Sequence, residues 1–245
     1  MAFLFLTNTV GASATAITST VQAGSDKTRM IAGPRSQLTH GANGTTWTMQ
    51  YTCASQAVTH CVITNADLFA HSQDGGNVVV NYGATPTTDS TTAAGSMTLV
   101  GPNDQDWVRT ISQTSTKFGL SFSHAVASDT VVGKVFFSNS FDFSVPPQLV
   151  SATEVAEKVR PLLGHRQYAT ERVFELTWAN VTEAKLTAFK ALPIQIPFCI
   201  YDESGHLFDY KLEHVLIADP WTEARRLDGN YTLTLAVRRL TQYVR

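Results

Sequence analysis

In the stretch "GPNDQDWVRT" two carboxylates, Asp104 and Asp106, stand two residues apart with Trp107 directly behind them. Paired carboxylates beside an aromatic ring are the groups that glycosidic bond cleavage needs, and with more oxygen ligands they would hold calcium. No acidic loop of calcium-binding length surrounds them. Asp and Asn collect at turns because their side chains hydrogen-bond the local backbone, so a turn leading into a strand is the expectation here. Asp202, Glu203 and His206 form a second cluster, also in a turn, where exposed polar residues are ordinary.

The remaining histidines, at 40, 60, 71, 124, 165 and 214, follow no HExxH or HxH spacing and have no neighbouring cysteine. Cys53, Cys61 and Cys199 contain no CxxC pair; a Cys53–Cys61 disulfide across neighbouring strands is the alternative to the expected buried, reduced thiols of a chain made for a reducing cytoplasm. A GxSxG elbow, a GxGxxG turn and a phosphate-loop lysine are all absent from the sequence. No nucleophile, cofactor or metal is expected, and the chain is expected not to be an enzyme. For sugar binding, Trp47, Tyr82 and Trp107 supply rings that a β-sandwich can present at its loop ends, although Trp47 and Trp107 fall in strand patterns where core packing is the commoner use of an indole.

The elements that would position these groups fall into two regions. Residues 1–150 hold 6 Lys/Arg, 8 Asp and no Glu, with 39 Ser or Thr; residues 151–245 hold 12 basic and 12 acidic residues and only 11 Ser or Thr. Thr suits a pleated surface, whereas Glu and Lys do not. The expected partition is therefore a β domain over 1–150 and an α+β domain over 151–245. The net charge of −2 gives no basic field for nucleic acid, and no stretch of eighteen apolar residues exists to span a membrane. At the N-terminus the apolar run is too short and lacks the basic flank of a secretory signal, so a first strand over Phe3–Leu6 is expected.

In "TWTMQYTC" Trp47, Met49, Tyr51 and Cys53 share one parity and polar residues the other, the period of a half-buried strand. Similar runs bounded by Gly, Asn, Asp, Ser or Pro continue to Val145, which reads as an antiparallel sandwich, jelly-roll or galectin-like. Gly83–Ser96 is small and polar, so an exposed loop or hairpin tip is expected. Pro146 and Pro147 close the domain, and "SATEVAEKVRPLLG" is open between a short helix and an extension of a strand. Beyond it, Phe174, Leu176 and Trp178 should face inward from a strand. Asn180 or Thr182 should cap a helix carrying Leu186, Phe189 and Leu192 that stops at Pro193. A hairpin turning at Asp202–Gly205 and a final strand with Tyr231, Leu233, Leu235 and Val237 on one parity complete a small antiparallel sheet with one main helix on it.

From "KVFFSNSFDFSVPP" through "RVFELTWANVTEAKLTAFKAL", "IPFCIYDESG" and "YTLTLAVRRL", about the last 110 residues, the chain resembles minor tail and distal-tail-type structural proteins of tailed bacteriophages. Phe141, Phe143, Pro146, Arg172, Trp178, Phe198, Asp202 and Gly205 carry the resemblance. It implies a virion component at the baseplate or tail tip, made in the host cytoplasm, forming a symmetric ring with copies of itself and attaching tube, hub or fibre proteins. The sandwich part is comparable to galectin-like modules. The alternative expectation is a carbohydrate-binding module that adheres to host-surface glycan through Trp47, Tyr82 or Trp107.

Overall fold

The computed structural model describes residues 3–30, 38–64, 77–83, 90–93, 106–158, 168–205, 207–208 and 210–239. In chain order the elements are β1 (Phe3–Leu6), α1 (Thr9–Ser13), β2 (Ala16–Ser19), β3 (Thr39–His40), β4 (Gly44–Thr64), β5 (Asn77–Tyr82), β6 (Ser90–Ala93), β7 (Trp107–Ser128), β8 (Val131–Val132), β9 (Lys134–Ser138), β10 (Gln148–Lys158), β11 (Tyr168–Val181), α2 (Glu183–Lys190), β12 (Phe198–Asp202), β13 (Leu212–Ile217), β14 (Thr222–Arg225) and β15 (Tyr231–Arg239), with a turn of 3-10 helix over Lys27–Met30. The protein is mainly β, with antiparallel strand pairing from β2 to β11 and through β12, β13, β14 and β15, and its helices are few and short.

The chain divides into two compact units, Leu6–Ser140 on the one hand and Met1–Phe5 with Phe141–Arg245 on the other. This differs from a division at residue 150 in two ways. The break falls ten residues earlier, and the first residues belong with the C-terminal half. The physical reason is local: Phe5 and Phe141 exchange both backbone hydrogen bonds, at 2.8 and 3.1 Å, so the chain enters and leaves the central unit at one point. The large central unit is an insertion into the other.

In the Leu6–Ser140 unit the order is β2-β4-β7-β5-β6, with β9 beside the second half of β4. β4 and β7 are 21 and 22 residues long and pair throughout. Strands that long must bend to enclose a core, and they do so at bulges. Between Val58↔Gln113 and His60↔Thr110, Ile111 and Ser112 oppose Thr59 alone, and Ser112 takes a positive φ of 49°. Trp47, Met49, Tyr51 and Cys53 point into the core as their parity requires, and meet Val78, Val80, Phe118, Leu120, Phe122 and Phe137 there. Gly119 lets β4 and β7 approach: a Cβ there would lie 2.5 Å from the Met49 carbonyl oxygen. The expected loop Gly83–Ser96 is a strand in part, because Ser90–Ala93 pairs with β5 as β6. The five-residue α1, capped by the Asn8 side chain, has no helical period to announce it.

The other unit is one seven-stranded sheet, ordered β1-β12-β13-β15-β11-β10 with β14 also on β15. "SATEVAEKVRPLLG" resolves as strand to Lys158, since β10 pairs with β11 from Gln148↔Thr177 to Lys158↔Tyr168. Phe174, Leu176 and Trp178 are buried, as are Leu233, Leu235 and Val237 opposite them. Thr182, not Asn180, caps α2, its hydroxyl accepting from the Lys185 amide at 3.3 Å. Asn180 instead sits in a bulge at φ 62°, a left-handed conformation that Asn tolerates better than most residues. Leu186 and Phe189 are the buried face of α2.

Phe5 is the hub of this core. Its ring lies 5.4–6.0 Å from those of Phe141, Phe143, Trp178, Phe189 and Phe198, and Phe3 adds Phe208. Phe5→Ala should cost about 3–5 kcal/mol, the usual range for truncating a fully packed aromatic, read as a lower urea midpoint in a denaturation curve. A loss of under ~1 kcal/mol would show that the N-terminal strand is not integral to the fold.

Candidate functional site

The residues singled out from the sequence do not come together. Asp106, directly before β7, is wholly buried, and Asp104 lies outside the described residues. Trp47 and Trp107 are each 2% exposed. Trp47 donates its ring N–H to the Thr20 carbonyl at 2.8 Å and packs on Phe122, so its position is that of a core residue. A sugar cannot stack on a face already covered by protein, so the contacts expected of Trp47 and Trp107 do not fit where the fold puts them. Tyr82 is half-buried against the same core.

Asp202 is buried because it ties its own turn: its carboxylate accepts from the Ser204 amide and hydroxyl at 3.0 and 2.5 Å and from the Leu207 amide at 2.9 Å. Gly205 takes φ 67° and completes the turn, and the second strand begins only at Leu212. Glu203 is exposed, and His206 lies outside the described residues.

Among the described residues no group of three His, Cys, Asp or Glu side chains is placed to hold a metal ion. His60 bonds Thr59 at 2.9 Å, and His124 bridges Thr130 and Ser128 at 2.7 and 2.8 Å. All three cysteines are buried and unbonded to one another, and burial pushes the thiols of Cys53 and Cys61 upward, away from the reactive thiolate. Glu213 and Arg239 pair inside the C-terminal sheet, Nε to Oε2 at 2.7 Å, with the guanidinium over the Phe174 ring. These are structural uses of ionisable groups.

Two features of the C-terminal unit had only faint sequence signals. The first is the free side of β10, the end of the seven-stranded sheet: among the described residues no strand pairs there. Leu149 and Val150 are exposed on it, Val150 at 59%, and the strand carries no charge from Gln148 to Thr153. An edge of that length is normally blunted by charge, proline or cover; here Pro146 and Pro147 precede it and charge begins only at Glu154. The second is an open groove of about 480 Å³ lined by Ile194, Gln195, Leu216, Asp219, Pro220 and Trp221 among others. "DPWTE" is too short a segment to single out by period. No helix among the described residues is long and apolar enough to cross a membrane.

No family model matches the sequence, and no curated protein matches it. Among solved structures the chain is similar to a Streptococcus pneumoniae fucose binding module, with a TM-score of 0.41 and 13% identity over 54% of this chain and 95% of that one. It is also similar to the lectin domain of lectinolysin complexed with Lewis B antigen, at a TM-score of 0.41 and 11% identity over 54% and 96%. Likeness at this level carries no argument about function.

One buried charge gives a direct check on the central unit. Lys134 is 1% exposed and donates to the Arg29 carbonyl; burial, helped by the Arg29 charge, pulls its pKa down to about 8 from near 10.5. The unfolded chain then binds more protons than the folded one between those values, so this group makes stability rise from pH 8 toward 10.5. Tyr51 and Cys61, buried neutral, act in the opposite sense at high pH. The difference between wild type and Lys134→Met in melting temperature against pH isolates the lysine. The gap should favour the variant most below pH 8 and narrow above it; a gap independent of pH would contradict the assignment.

Proposed function

We propose that the chain is a non-enzymatic assembly subunit of a bacteriophage tail, a minor tail or distal tail component at the baseplate or tail tip, joining copies of itself in a ring and attaching host-recognition parts. The observation that supports this most is the asymmetry of the seven-stranded sheet. One end is occupied by the chain's own β1, with Phe141 bridged to Phe5, while the other ends in the eleven residues of β10, whose outer side no strand among the described residues pairs. An edge whose first six residues, Gln148 to Thr153, carry no charge is a template for strand addition, in which main-chain hydrogen bonds supply affinity and exposed side chains such as Leu149 and Val150 supply register. The residues that carry the family resemblance fit the same reading. Phe141, Phe143, Trp178 and Phe198 surround Phe5, and Asp202 and Gly205 shape the turn after β12.

Pairing two β10 edges with each other would close a two-fold dimer, whereas a larger ring needs β10 to meet a different patch on the next copy. Adhesion to host glycan is the second reading. The burial of Trp47 and Trp107 means that other residues would have to serve in it.

Mass photometry across a dilution series tests the assembly reading. The wild type should form a discrete oligomer, and Leu149→Lys with Val150→Lys, both on exposed positions, should weaken association at least about tenfold, equivalent to 1.4 kcal/mol, with the circular dichroism spectrum unchanged. A wild type that stays monomeric at every concentration, and fails to join tail proteins on co-expression, contradicts it.

A further inference from the structure

Trp221 differs from the other three tryptophans. Trp47, Trp107 and Trp178 are at most 2% exposed, whereas Trp221 is half-buried and lines the open groove of the C-terminal unit. Its orientation is held from two sides. The ring N–H donates to Glu223 Oε1 at 2.8 Å, and the other oxygen of Glu223 accepts from Lys190 Nζ at 2.9 Å. Phe189 packs edge-on against the indole, ring centres 5.6 Å apart. Phe189 and Lys190 are the last two residues of α2, so the helix that covers the sheet also fixes this ring. Trp221 packs against the margin of the C-terminal core, and with the bond to Glu223 this contact holds the uncovered part of the indole in one orientation beside the groove.

The groove around it combines three kinds of lining. The indole and Ile194, Leu216 and Ile217 are apolar; Gln195 offers an amide that both donates and accepts; Asp219 offers a carboxylate that only accepts. A flat apolar face beside a few polar groups matches the pyranose ring, which has an apolar face of C–H bonds and a rim of hydroxyls that each donate and accept. A hydrophobic peptide would leave Asp219 and Gln195 facing apolar side chains, and an anion would meet the Asp219 charge. The volume of about 480 Å³ accommodates one or two sugar rings, within the usual range of ligand sites.

We propose that the groove at Trp221 is a carbohydrate site for neutral pyranosides, with Trp221 as the stacking platform and Asp219 and Gln195 as hydroxyl partners. The site is complete in a single copy and so does not depend on the assembly reading; it gives the glycan reading residues of its own.

Because Trp221 is the most exposed of the four indoles, iodide quenching of tryptophan fluorescence reports it selectively. The experiment titrates the full-length protein with a panel of neutral hexosides and N-acetylhexosaminides, followed by a glycan array. At least one sugar should protect the fluorescence from iodide. Trp221→Ala and, independently, Asp219→Ala should each weaken array binding at least about tenfold. Asp219 is exposed, so its variant keeps the fold even if the tryptophan variant does not. Binding that survives both substitutions overturns this site while leaving the glycan reading intact. Silence across the panel and the array overturns both, and neither outcome bears on oligomerisation.

Discussion

A pair of backbone hydrogen bonds between Phe5 and Phe141 sets the plan of the molecule. It places the first strand of the chain in the sheet formed by the last hundred residues, and brings Phe5 among five other aromatic rings. Tilted and edge-to-face ring pairs of this kind add about 0.5–1.5 kcal/mol each beyond the area they bury. With the chain anchored on both sides of residues 6–140, everything between must fold as an insert whose ends lie together.

The same closure decides which edge of the C-terminal sheet is available. β1 fills one end, and beyond it Phe5 bonds Phe141. The other end stops at β10, where eleven residues pair with β11 on one side and none of the described residues on the other. Its first six residues are uncharged, and two of its aliphatic side chains, Leu149 and Val150, lie in solvent. The role of α2 follows from the same sheet. It buries Leu186 and Phe189 against the sheet and, through Phe189 and Lys190, orients Trp221 beside the groove.

Strands whose large side chains kept one parity were legible in the sequence: Trp47–Cys53, Phe174–Trp178 and Tyr231–Val237 all face as their period requires. So was α2, although the sequence offered both Asn180 and Thr182 as its cap and only the fold assigns Thr182. Long-range pairing was not legible. Nothing in "FLFL" states that it joins a strand nearly two hundred residues later, and composition placed the boundary at 150 because residues 141–150 resemble the insert in content while packing with the other unit. Trp47 and Trp107 looked available as ligands only because a sequence shows residue type and not cover. β10 was open between helix and strand since Glu, Ala and Lys favour helix, and its pairing with β11 overrode that preference. The edge and the groove escaped for a related reason, since both are defined by what is missing around them.

The claim that β10 is an assembly edge is tested most directly by hydrogen exchange of the amides in residues 148–158, followed by mass spectrometry at low and high protein concentration. An edge that accepts a neighbouring strand predicts that these amides slow as concentration rises while those of β15, already paired on both sides, stay unchanged. Fast exchange in β10 at every concentration, with protection appearing elsewhere, would contradict it.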